Sequence, residues 1–160
     1  MFDGFVKVGV CSPDLKVADC VYNSKKMIEK ARKLSKKGVK ILAFPELCLT
    51  GYTCGDLFLQ DALLKGALAG LEAFAKETKE IDTVCIVDLP LMHQARLYNV
   101  AAVVFHGEVL GLVPKSHIPT YSEFYEGRHF ASGNMAYQTG DVDEETCAVR
   151  SEEHTSELQS

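Results

Sequence analysis

Apolar residues recur along this chain with two different periods, and the alternation between them predicts strands and helices in turn. Val6 to Cys11 (V-K-V-G-V-C) is apolar over strand length and is followed by the turn-like Ser12-Pro13-Asp14, which predicts a first strand. From about Asp19 to Lys37 the positions Met27, Ile28, Ala31 and Leu34 recur at helical spacing, lysines fill the other face, and Gly38 stands where a C-terminal cap belongs. Val39 to Phe44 reads as a second strand, stopped by Pro45 because proline cannot donate to a sheet ladder. Asp61 to Thr78 predicts a second helix with Leu64, Leu68, Leu71 and Phe74 on one stripe and Asp61 as N-cap. Thr83 to Leu91 is a third strand. Tyr98 to Phe105 and Glu108 to Val113 are two more, joined by a His106-Gly107 turn in which glycine supplies positive φ. Strand, helix, strand, helix, strand and hairpin make an α/β layered domain. After Lys115 the chain turns irregular and aromatic, with Tyr121, Phe124, Tyr125, Phe130 and Tyr137 suited to a pocket wall.

Composition narrows the class of molecule. A chain of 160 residues, 47% apolar and 24% charged, is expected to form one soluble globular domain with a sizeable core. The net charge is −5 and the lysines are dispersed over helix faces, which argues against nucleic acid as a partner. Asp3 precedes the first short apolar run without a cleavage pattern, and no stretch approaches the roughly 20 apolar residues of a membrane span, so a cytoplasmic protein is expected. The six cysteines, at 11, 20, 48, 54, 85 and 147, form no CxxC pair, and most sit in apolar runs as small hydrophobes. Neither a metal site nor disulfides are expected. Arg150 to Ser160 is almost devoid of apolar residues and is read as a non-native, adapter-derived tail, which leaves residues 1–149 as the domain.

Two charged residues stand at expected strand ends. Glu46, just past Pro45, lies where open α/β sheets put their ligands, and its apolar neighbours Leu47, Cys48 and Leu49 are expected to desolvate it toward the range of a general base. Gly111 to Lys115 repeats the arrangement with opposite charge: an apolar strand, a proline, then an ammonium able to steady an oxyanion. Unlike charges displayed by two strand ends of one sheet suit the activation of a nucleophile.

The run Phe44-Pro45-Glu46 through Thr50-Gly51-Tyr52, with Val113-Pro114-Lys115, resembles the motifs of the nitrilase, or carbon-nitrogen hydrolase, superfamily. Lys115 to Phe130 is similar, more narrowly, to the glutaminase domains of glutamine-dependent NAD synthetases, within a resemblance that runs from Phe5 to Thr139. The resemblance implies a partial α-β-β-α sandwich of the nitrilase type, truncated. By position it makes Glu46 the general base, Lys115 the oxyanion-stabilising cation and Tyr121 a contact for bound glutamine. Tyr52, Phe124 and Glu126 would line the same pocket, with Glu126 or Glu123 as the second acidic residue. It further implies no cofactor in this domain, a homo-oligomer when complete, and a C-terminal synthetase domain that uses ATP and Mg²⁺ to amidate deamido-NAD with the ammonia released.

One element of that pattern is missing. The nucleophilic cysteine is expected several tens of residues after the lysine, in an E-x-C-E-D-like motif, and the chain holds none. Cys147, in Glu144-Glu145-Thr146-Cys147-Ala148, lies too near Lys115, and Cys48 too near Glu46. The chain is therefore expected to be inactive by itself, with apolar faces left bare. Two rival readings are a free-standing nitrilase-superfamily amidase and a non-catalytic α/β binding module. A downstream synthetase domain in the intact gene counts against the first, and a downstream cysteine against the second.

Overall fold

In the computed structural model, which describes residues 4–122 and 124–135, five strands form a single mixed sheet in chain order. The elements are β1 (Val8–Val10), α1 (Cys20–Ser35), β2 (Ile41–Ala43), α2 (Asp61–Glu77), β3 (Val84–His93), β4 (Arg96–Phe105) and β5 (Glu108–Pro114), with 3-10 turns at Gly55–Leu59, Glu126–Arg128 and Gly133–Met135. β1, β2 and β3 are parallel, whereas β3, β4 and β5 are antiparallel. α1 and α2, the crossovers that link the three parallel strands, pack against each other on one face of the sheet.

That face holds the core. Met27, Ile28 and Ala31 of α1 and Leu64, Leu71 and Phe74 of α2 are buried together with Leu42, Val87, Leu89 and Val100 of the sheet. The Phe74 ring meets Phe44 edge-on at 5.8 Å. Asp19 caps α1 by accepting the Tyr22 amide at 3.0 Å. Gly38, at φ +81, ends the helix, and Val39 N–H bonds back to the Leu34 carbonyl at 3.2 Å.

Three local expectations are corrected. Asp61 is the first residue of α2, not its cap; Gln60 holds that place without a side-chain hydrogen bond, and the Asp61 carboxylate serves only the positive end of the helix dipole. The buried stripe runs through Leu63, Ala67 and Gly70 as well as Leu64 and Leu71, so Leu68 falls beyond its edge and is 40% exposed. The third strand continues to His93, and Gln94 and Ala95, at φ +46 and +61, close a two-residue hairpin into β4. The second hairpin lies at His106 and Gly107, at φ +48 and +88, as expected from the sequence. A Cβ on Gly107 would lie 2.9 Å from that of Lys79, so glycine is required there for space as well.

The other face of the sheet is apolar and open. Val8 and Val10 are 66% and 87% exposed, and no layer among the described residues covers them. Among the described residues the fold is thus one helix layer against one sheet. No helix among the described residues is long and apolar enough to cross a membrane. Tyr137, Cys147 and the 150–160 segment lie outside the described residues.

Candidate active site

The turn after β2 is built to hold its one carboxylate. Phe44 N–H still pairs with the Ile86 carbonyl at 3.1 Å, after which Pro45 stops the ladder. Leu47 adopts a left-handed φ of +51, and its carbonyl accepts the amides of Thr50 at 3.1 Å and Gly51 at 2.7 Å. Buried Leu47, Cys48 and Leu49 anchor this turn, so Glu46 stands at a fixed point rather than on a free loop. Gly51, at φ +85, lets the chain pass the Val17 backbone, which a Cβ would meet at 3.4 Å.

Lys115 arrives from the far side of the sheet. Its amide donates to the Asn99 carbonyl at 2.8 Å, one rung past β5, and its carbonyl accepts from Gly133 N–H at 2.8 Å. The ammonium lies 2.5 Å from Glu46 Oε1 and 3.0 and 3.1 Å from the two carboxylate oxygens of Glu126. Asn99, itself buried, donates its side-chain amide to the same Glu46 Oε1 at 2.6 Å, and Tyr52 donates its hydroxyl to Glu126 Oε1 at 2.7 Å. Side-chain exposure grades from 5% at Glu126 through 29% at Lys115 to 37% at Glu46, which sets Glu126 at the back and Glu46 toward solvent.

The electrostatics follow from that grading. Burial alone would favour loss of the Lys115 proton, but the hydrogen bonds and charges of Glu46 and Glu126 outweigh it and hold the ammonium above its ordinary pKa. Tyr52 is raised by burial and by its bond to Glu126, so it stays a neutral donor. Asp88 on β3 is raised from 3.8 to about 7, mainly by burial and next by repulsion from Glu46, with Lys115 and the Leu47 amide opposing. A solvent-facing carboxylate can take a proton from an incoming thiol or water, and a fixed cation beside it can steady the anion that forms.

Glu46, Lys115, Glu126 and Tyr52 are therefore brought together. Glu46 is met by two hydrogen-bond donors, in place of the apolar surround expected from its sequence neighbours. Tyr121 is 69% exposed and meets Phe124 ring to ring at 5.8 Å, away from the charged cluster's hydrogen bonds. Glu123 lies outside the described residues. Asn99 and Asp88 join the site without having been singled out; each is a polar residue inside an apolar strand run (L-Y-N-V-A and I-V-D-L), and that was the available signal.

No described cysteine hydrogen-bonds to Glu46 or Lys115. Cys48 is fully buried, its Sγ bonding the Asp88 carbonyl at 3.6 Å, and burial pushes its thiol up to about 12. Beside the cluster lies a cavity of about 250 Å³ walled by Tyr52, Phe58, Tyr125, Glu126, His129 and Phe130. His129, in its wall, pairs with Asp56 at 3.1 Å, and Asp56 also meets Arg128 at 3.2 Å.

The family model described as carbon-nitrogen hydrolase matches residues 7–148. A glutamine-dependent NAD(+) synthetase of Mycobacterium bovis is 40% identical over 131 residues, covering 82% of this chain and 19% of that protein. The crystal structure of a glutamine-dependent NAD(+) synthetase from Cytophaga hutchinsonii superposes with a TM-score of 0.75 at 28% identity, over 79% of this chain and 22% of that one. An amidase from Nesterenkonia shares the fold, with a TM-score of 0.63 at 21% identity over 77% of this chain and 46% of its own. The chain thus spans about a fifth of the length of the curated synthetases it matches.

Proposed function

The chain belongs to the carbon-nitrogen hydrolase family, and from that premise we propose that it forms the glutamine-hydrolysing part of a glutamine-dependent NAD synthetase. The observation that carries this reading is the contact of Glu46 with Lys115, made where Asn99 and Glu126 fix both partners. In the complete enzyme a cysteine thiol from beyond the described residues gives its proton to Glu46, and the thiolate attacks the side-chain amide carbon of glutamine. Lys115 faces the resulting oxyanion. Glu46 returns the proton to the departing nitrogen, ammonia leaves, and water cleaves the thioester to release glutamate.

The cavity beside Glu126, at about 250 Å³, falls below the usual 300–1,000 Å³ of pockets for drug-sized ligands and suits a small amide. Tyr52 lines it, and Tyr121 and Phe124 join its contacts with glutamine as the substrate seats. ATP and Mg²⁺ belong to a C-terminal synthetase unit that consumes the ammonia. The isolated 160-residue chain is inactive on this reading, because it brings the base and the cation without the thiol.

The test uses the complete gene product assayed for NAD formation with glutamine or with ammonium salt as nitrogen donor. Glu46→Gln is expected to abolish the glutamine-driven reaction and to spare the ammonia-driven one. Equal loss of both, or loss of neither, would overturn the assignment.

A further inference from the structure

Two short 3-10 turns meet beside the charged cluster. The first, Gly55–Leu59, follows Tyr52 on the chain that leaves Glu46; the second, Glu126–Arg128, begins with the glutamate that backs Lys115. Side chains 72 and 73 positions apart join them: Asp56 sets one carboxylate oxygen 3.1 Å from His129 Nε2 and the other 3.2 Å from Arg128. Phe58, on the same turn as Asp56, packs against the His129 ring at 5.7 Å and the Phe130 ring at 5.0 Å. The two bonds of Asp56 are unequal. The Arg128 and Asp56 side chains are 66% and 65% exposed, and a pair so solvated holds little. His129, by contrast, has 10% of its side chain exposed and stands in the cavity wall. An ionised carboxylate only accepts, so Nε2 is the donor, and a buried N–H stripped of its acceptor is destabilising. The amides of His129 and Phe130 both return to the Glu126 carbonyl, at 3.0 and 2.8 Å, so a ring fixed at 129 fixes the backbone of 126.

We propose that Asp56 is a positioning residue, whose carboxylate clasps the His129 imidazole and so holds the Glu126–Arg128 turn where Glu126 meets Lys115. This inference rests on Lys115 serving as the oxyanion-facing cation of the proposed reaction. Glu126, with 5% of its side chain exposed, contacts the ammonium with both oxygens and accepts the Tyr52 hydroxyl on Oε1. The stretch from Tyr52 to Phe58 thus grips the second turn twice: at its first residue through the Tyr52–Glu126 bond, and just past its last through the Asp56–His129 bond. A single grip leaves the turn free to swing about Glu126, whereas two fix its direction. Without the Asp56 grip the two Glu126 oxygens no longer face the ammonium together, and Lys115 loses the partner that fixes it from behind.

The experiment measures kcat and KM for glutamine hydrolysis by the complete enzyme in Asp56→Ala, Asp56→Asn, Arg128→Ala, His129→Phe and the double variant Asp56→Ala/His129→Phe. Asp56→Ala is expected to lower kcat about 10-fold with KM changing less, since a displaced counter-charge is felt where the oxyanion forms. Asp56→Asn keeps an oxygen for the His129 N–H and is expected to restore kcat to within about twofold of wild type. Arg128→Ala should stay within about twofold as well, because its pair with Asp56 is solvated. His129→Phe keeps the ring and removes the bond, so it should match Asp56→Ala, and the double variant should be no slower than either. Wild-type kcat in Asp56→Ala, an Asn variant as slow as Ala while equally folded, an Arg128→Ala as slow as Asp56→Ala, or losses that multiply in the double variant would each overturn the proposal. Should Asp56→Ala fail to fold, His129→Phe decides: the same loss is expected, and a wild-type kcat overturns the clasp. A Lys115→Met that hydrolysed glutamine at the wild-type rate would instead remove the premise, whereas a slow Lys115→Met beside an unaffected Asp56→Ala would sink only the role of Asp56.

Discussion

Replacing Lys115 by methionine keeps much of the side chain's volume and removes its charge, which exposes what the ammonium does for the fold. Glu126, with 5% of its side chain exposed, would keep the Tyr52 hydroxyl but lose both of its contacts with positive charge. Breaking a buried ion pair from one side typically destabilises by about 3–5 kcal/mol, because the abandoned charge stays buried. Glu46, at 37%, reaches solvent and adds little to this. A loss of about 3 kcal/mol moves the unfolding midpoint of a domain this size by roughly 6–12 °C. Thermal melts of the complete protein at pH 8 should therefore show a large drop in the unfolding midpoint of this domain. Adding Glu126→Gln to Lys115→Met should recover most of the loss, since the pair is then removed together. An unchanged midpoint, or a drop that Glu126→Gln leaves unrepaired, would refute the placement of Lys115 as the counter-charge of Glu126.

Three further outcomes are expected. Asn99→Ala deletes a hydrogen bond to a carboxylate, worth about 1.5–3 kcal/mol, and should slow glutamine hydrolysis about 10- to 150-fold; an unchanged rate would mean that Asn99 does not hold Glu46. Because the folded state keeps a proton on Asp88 that the unfolded chain releases near 3.8, wild-type stability should fall as pH rises toward about 7, by at most about 4 kcal/mol. Asp88→Asn should thus raise the melting midpoint at pH 8 and lose that advantage near pH 4, and equal shifts at both values would contradict the burial of a raised carboxyl. Expressed alone, the 160-residue chain should bind a hydrophobic dye and associate through the face bearing Val8 and Val10; a dye-free monomer with a cooperative melt would contradict that.

The helices and the parallel strands were legible because their signals are local. The period of Met27, Ile28 and Ala31, the cap at Asp19 and the stop at Pro45 each act within a few residues. The hairpin at Gln94 and Ala95 was not, since neither residue favours positive φ and the turn is imposed by the pairing of β3 with β4. Glu46 and Lys115 could be picked out as charges following Pro45 and Pro114, but their partners could not. Asn99 reaches Glu46 across 53 positions, and Asp88 bonds to residues some 40 positions earlier, so only the sheet register brings them to the site. The polar surround of Glu46 was missed for the same reason: neighbours in sequence are apolar, neighbours in space are not.

On the proposed function, Glu46 and Lys115 serve a thiol supplied from further along the polypeptide. Treating the complete protein with a glutamine analogue that carries a diazoketone in place of the amide, and mapping the adduct by peptide mass spectrometry, tests it most directly. Labelling is expected on one cysteine beyond residue 149 and is expected to disappear in Glu46→Gln. Labelling of Cys48 or Cys147, or undiminished labelling without the Glu46 carboxylate, would contradict the claim.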